Sequence, residues 1–199
     1  MSRSKVLGLF ALSVVMAFAS TAFAQNTKVV ESGETTVALS SGFLSALQSL
    51  GITPGVVAPT QLNGTTVNFP INGGAIDLVS NFGNIGHSGG LTLSNGSTVV
   101  GIQNFTIDTT GSSPVITGLV LVNGAVAGRI TLFDLSIPRP DLPIRLYNKV
   151  LINLPLVGVT LDGAAAQALN SVFHTNAFHS GIGIGTADVL AFTNGWIPQ

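Results

Sequence analysis

The chain has 199 residues, no cysteine, seven basic and eight acidic residues, and a formal net charge of −1. That excludes thiolate metal centres and a thiol nucleophile, and it leaves no basic stripe to neutralise nucleic-acid phosphates. Apolar residues make up 46% of the chain, too many for a disordered segment, and beyond the first residues they never run long enough to span a membrane as a helix.

The chain opens MSRSKVLGLFALSVVMAFASTAFAQ. Arg3 and Lys5 precede an apolar stretch from Val6 to Ala19, and Ala22-Phe23-Ala24 fits a small-residue cleavage site. Residues 1–24 therefore read as a secretory signal peptide. The expected mature protein starts at Gln25 and resides in the periplasm, on the cell surface or outside the cell. It keeps only Lys28, Arg129, Arg139, Arg145 and Lys149 as bases. The last four are interrupted by acids and read as a solvated loop face.

A polar lead, residues 25–34, is expected before the ordered domain, which is taken as residues 35–192 with a short tail at 193–199. Leu39, Phe43, Leu44, Leu47 and Leu50 recur at helical spacing. Ser40 or Ser41 can cap that helix, and Gly51 with Pro54 ends it. From Gly55 the period changes. Three Asn-Gly pairs (Asn63-Gly64, Asn95-Gly96 and Asn123-Gly124) separate runs rich in Val, Ile, Thr and Phe, which predicts type I′ hairpins between antiparallel strands. Ile137 to Pro143 carries three prolines and must be a loop or an edge. Asp162 caps a second helix with Ala165, Leu169, Val172 and Phe173 on one face. Gly181 to Phe192 reads as a final strand. The predicted fold is mainly β: a single-domain antiparallel β sandwich or curled sheet with two short helices.

Gly86-His87-Ser88-Gly89-Gly90 matches the G-x-S-x-G pattern of serine hydrolases. That chemistry needs a strand, a sharp turn bearing the serine, and then a helix supporting the oxyanion. Here LTLSNGST follows, a strand and a turn, so Ser88 is expected to be no nucleophile, although Asp108, Asp134 or Asp162 and His174 or His179 come later in the chain. The glycines read instead as hairpin backbone. His174 and His179 are five apart, not the i, i+4 pair of a helical zinc motif, and no metal site is predicted. GIGIGT lacks the third glycine of a dinucleotide loop and reads as a strand with one flat side. Asn63, Asn95 and Asn104 each begin a glycosylation sequon; turn chemistry already explains the first two.

Taken in order, the amphipathic first helix, FPINGGAID, NIGHSGGLTLSNGSTVVGIQNFTID, RITLFDLSI, VTLDGAAAQALNSVF and GIGIGTADV resemble the HtaA-type domain of secreted and surface bacterial proteins. The resemblance covers about Thr35 to Val189. It implies a β-rich, non-enzymatic fold that binds haem, with a tyrosine from the first helix on the iron and a histidine of the G-H-x-G-x-L block supporting it. His87 matches that histidine. The first helix offers Ser40, Ser41, Gly42, Phe43 and Ser45 but no tyrosine, and the chain's one tyrosine is Tyr147. The resemblance thus implies a binding module for haem or another flat hydrophobic molecule, with His87 as polar contact and Phe43 lining the pocket. A structural or adhesive role among cell-envelope components is the alternative, and a Ser88 esterase the remote one.

Overall fold

The computed structural model describes residues 26–138, 146–148 and 151–194. The expected signal peptide, Arg139, Arg145, Lys149 and the last five residues lie outside them. Fourteen elements follow one another: β1 (Thr27–Leu39), α1 (Ser41–Ser49), β2 (Thr53–Val57), β3 (Gln61–Asn63), β4 (Thr66–Asp77), β5 (Gly83–His87), β6 (Gly90–Ser94), β7 (Val99–Asp108), β8 (Val115–Val122), β9 (Ala125–Ser136), β10 (Leu146–Tyr147), β11 (Leu151–Leu161), α2 (Gly163–Phe173) and β12 (Gly183–Thr193).

The strands do not form two stacked sheets. The order β7-β5-β4-β1-β12-β11-β9-β8 is hydrogen-bonded throughout, and β8 returns to β7. The expected sandwich is thereby corrected to a closed, eight-stranded antiparallel barrel; the curled sheet completes its circle. Closure depends on pairing the first strand with the last, Thr35 opposite Val189 and Leu39 opposite Gly185, a contact no local pattern encodes. Tight coiling of the wall also needs missing side chains. Gly74, at φ +147°, lies so close to β5 that a Cβ would stand 2.9 Å from the Ile85 Cα.

The barrel interior is filled by alternate residues. On β12, Ala187, Val189 and Ala191 face in and are buried, while Leu190 and Phe192 face out and are exposed. On β1 the inward set is Val30, Thr35 and Val37. That strand begins well before Thr35: Thr27 to Val30 already pair with Asp77 to Gly74 of β4, so most of the polar lead is barrel wall. Phe69 and Phe105 meet edge to face inside, centroids 5.2 Å apart at 89°.

One end of the barrel opens into a flap. Strand β7 pairs along a single edge first with β6 and then with β5, and β6 pairs outward with β2. Helices α1 and α2 cover the apolar face at this end. Ser40 is the N-cap of α1, its Oγ accepting from the Phe43 N–H at 3.1 Å and donating to the Gly183 carbonyl at 2.7 Å. Asp162 caps α2 by accepting from Ala164 and Ala165.

The three Asn-Gly signals resolve differently. Asn123 and Gly124 both have positive φ between paired Val122 and Ala125, the predicted type I′ turn. At the first site Asn63 pairs with Thr66, so the turn is Gly64-Thr65. At the second, Ser94 pairs with Val99, leaving a longer loop in which the Asn95 side chain accepts from the Thr98 N–H at 2.9 Å. The run from Val56 to Leu62 divides into β2 and β3.

Candidate functional site

His87 ends β5 opposite Ile71 of β4, and Thr35 of β1 lies opposite Phe69 on the other edge of β4. Phe69 and Ile71 are two residues apart and share a face, so His87 and Thr35 both point inward with β4 between them. Their side chains meet over that strand, Thr35 Oγ1 to His87 Nε2 at 2.7 Å. His87 is only 4% exposed. Burial among apolar side chains pushes its imidazole down from 6.5 to about 4, against an upward pull from the backbone of Phe105 and Ile85. The ring is therefore neutral at physiological pH. Nδ1 is buried and has no partner of hydrogen-bonding geometry, so the contact with Thr35 is the ring's one hydrogen bond of good geometry. Nε2 accepts from the Thr35 hydroxyl in one tautomer and donates to it in the other.

Three apolar cavities stand in file along the interior. The upper one, about 60 Å3, is bounded by Phe43, Ala165, Ala168, Val172 and strands of the flap. The middle one, about 50 Å3, is bounded by Thr35, His87, Phe69, Phe105 and Val189 among others. The lowest holds about 20 Å3. Leu39, Leu91, Phe133 and Ile184 line both of the first two and form the layer between them. Phe43 and His87, the two candidate contacts, thus line adjacent cavities rather than one. Thr35 is the site residue that sequence reasoning passed over. Its signal was available: a threonine at the inward parity shared by Val37 and Leu39.

Ser88 lies one residue past the end of β5, and its side chain meets that of Asn72 instead of the interior. Its Oγ accepts from the Asn72 Nδ2 at 3.0 Å, and strand β6, not a helix, comes after it. The strand changes partners here. His87 is the last residue paired with β4, and Gly90 pairs with Val57 of β2. Gly89 makes the step at φ +78°, where a Cβ would stand 2.7 Å from the Val57 carbonyl oxygen. The block is a partner switch between strands, rather than the hairpin its glycines suggested.

Three crystal structures from Corynebacterium glutamicum share this architecture. The C-terminal domain of HtaA superposes with a TM-score of 0.65 at 15% identity, covering 84% of this chain and 99% of that domain. The N-terminal domain of HtaA gives 0.59 at 15%, covering 82% and 97%. This chain has the HtaA fold. The heme binding protein HtaB gives 0.55 at 12%, over 84% of this chain and 96% of HtaB. No family model matches the sequence, and no curated protein matches it. At these identities the likeness to HtaA and HtaB is one of fold.

Haem is the group that such a likeness suggests, and the side chains around the interior of this HtaA fold do not fit it as an iron site. No tyrosine stands on α1, Tyr147 is exposed on β10, and the Nε2 of His87 is occupied by Thr35. Among the described residues no three potential metal ligands gather. Nor does any of these three cavities as it stands approach the roughly 300 Å3 or more usual for a bound organic molecule.

Proposed function

We propose that the chain is a secreted, non-enzymatic binding module that uses the HtaA fold to hold a hydrophobic molecule. The observation behind this is the file of apolar cavities closed at one end by α1, a nine-residue helix whose buried side chains are only Phe43 and Leu47. A helix this short has little stability of its own and depends on what it packs against. Displacing it opens the upper cavity without breaking the barrel. Phe43 is the residue a ligand would displace, and the α2 wall of Ala165 and Ala168 is the smooth surface it would lie against. A titration of the mature protein with a neutral hydrophobic dye, in wild type and Phe43→Ala, tests this. Saturable binding altered by Phe43→Ala is the expected result; failure of haemin and of any apolar probe to saturate would sink it.

A second reading, a structural or adhesive envelope protein, rests on the outer wall. Leu190 and Phe192 of β12 are exposed. Leu156, at φ +58°, projects from a bulge in β11 held by its N–H on Asp188 at 2.8 Å. Concentration-dependent self-association lost on Leu156→Ser and Phe192→Ser would favour that role.

A further inference from the structure

We infer that the hydrophobic molecule held by this domain is held without a bond to a metal ion; this rests on the binding reading above. Haem iron takes its protein ligands from His, Tyr, Cys or Met. The chain has no cysteine, and its two methionines, Met1 and Met16, fall in the expected signal peptide. Four donors remain among the described residues: His87, Tyr147, His174 and His179.

Three of them are on the outside. Tyr147 is exposed on β10. His174 is the left-handed C-cap of α2 at φ +52°. His179 is exposed with Nδ1 3.2 Å from the Ser180 carbonyl. None of these lines any of the three cavities.

His87 does line one, yet neither tautomer offers a usable lone pair. With the proton on Nδ1, the lone pair of Nε2 receives the Thr35 hydroxyl at 2.7 Å. With the proton on Nε2, that N–H donates to Thr35, and the lone pair moves to Nδ1. That atom is buried out of reach of solvent and has no partner. Turning the ring out would break the Thr35 contact and disturb the perpendicular Phe69–Phe105 pair that lines the same cavity. A molecule in the interior therefore meets the carbon edge of His87 and no electron pair.

The same walls set the chemical class. No charged side chain lines any of the three cavities, so a carboxylate carried inside would lose its hydration with no cation in exchange. The buried part of the ligand is uncharged, and any acidic group stays in water.

The test compares haemin, metal-free protoporphyrin and neutral N-phenyl-1-naphthylamine on the mature wild-type protein. Absorbance is read alongside electron paramagnetic resonance of the haemin sample. The expected result is porphyrin affinities within about threefold of each other, a difference of less than one factor of ten on the binding scale, with no protein-ligated iron signal. Haemin binding at least tenfold tighter, with a ligated signal that His87→Gln abolishes, would overturn the inference and leave the binding reading standing. If no probe saturates, the binding reading fails and takes the inference with it.

Discussion

Thr35 and His87 lie on strands that do not touch, β1 and β5, and their side chains join them across β4 at 2.7 Å. The hydrogen bond is buried, so its two partners have no water to fall back on. Thr35→Val keeps the shape and removes the hydroxyl, leaving a histidine nitrogen buried and unpaired. A loss of about 1–3 kcal/mol is expected, since an orphaned buried polar group costs that much. Urea unfolding measures it; a change near zero would mean that the bond contributes nothing to holding the wall together.

Burial of His87 makes the fold sensitive to acid. The folded His87 titrates at about 4, and its ordinary value is 6.5. Above 6.5 both folded and unfolded states carry a neutral ring. Between 6.5 and 4 the unfolded chain takes up a proton that the folded one refuses, so stability falls as pH falls, by roughly 3 kcal/mol over the window. Below 4 this contribution is gone. His87→Gln should flatten that part of the curve of unfolding free energy against pH. An equally steep wild-type and variant profile would assign the pH response to other groups.

Much of the local structure was legible in the sequence, and the reasons are short-range. Ser40 and Asp162 announce both helices because a capping side chain acts within its own first turn. Asn123-Gly124 announces its turn because both residues tolerate positive φ. What was not legible is long-range or geometric. The barrel closes through β1 with β12 and β7 with β8, pairings written in no single segment. Asn63-Gly64 and Asn95-Gly96 place their turns correctly but not the register, since strand pairing rather than dipeptide identity sets which residues occupy the corner. His87 was found by resemblance. Thr35 could be read only by its inward parity, because a threonine in the β-branched run Thr35-Thr36-Val37 passes for strand filler until its partner is known.

The partner switch at Gly89 gives a sharp contrast between neighbours. Gly89→Ala places a Cβ 2.7 Å from the Val57 carbonyl and 2.8 Å from the Thr60 nitrogen, at φ +78°. A loss well above 1 kcal/mol is expected from the combined clash and backbone strain. Ser88→Ala, one residue earlier, removes only an exposed contact with Asn72 and should stay within about 1 kcal/mol of wild type. Ser88 should also fail to react with a fluorophosphonate probe. Covalent labelling that disappears in Ser88→Ala would restore the esterase.

Removing the Asp162 carboxylate strips two N–H groups of α2 of their acceptor. Asp162→Ala should cost about 1 kcal/mol and Asp162→Asn much less, because asparagine caps nearly as well. Thermal unfolding of the two variants distinguishes capping from charge: equal losses would point to the charge.

Export leaves a chemical mark that can be read directly. If residues 1–24 are a signal peptide, intact mass and terminal sequencing of protein recovered from outside the cytoplasm will begin at Gln25. A start at Met1 in that fraction would contradict it.

Ring closure has a further consequence for a chain so poor in charge. Because β7 and β8 seal the barrel, no barrel strand among the described residues has an edge open along its whole length, and two of the partial edges left are spoiled. The flap ends at β2, where Pro54 has no N–H to offer. The upper half of β9, beyond its pairing with β11, is kinked by a bulge next to Gly128 at φ +141°. Arg129 is tied down beside it, onto the Asn104 carbonyl. Protection against sheet-to-sheet growth here comes from the closed ring, which leaves only short or kinked edges, so a substitution that unzips β7 from β8 is the kind that would turn this protein into fibres.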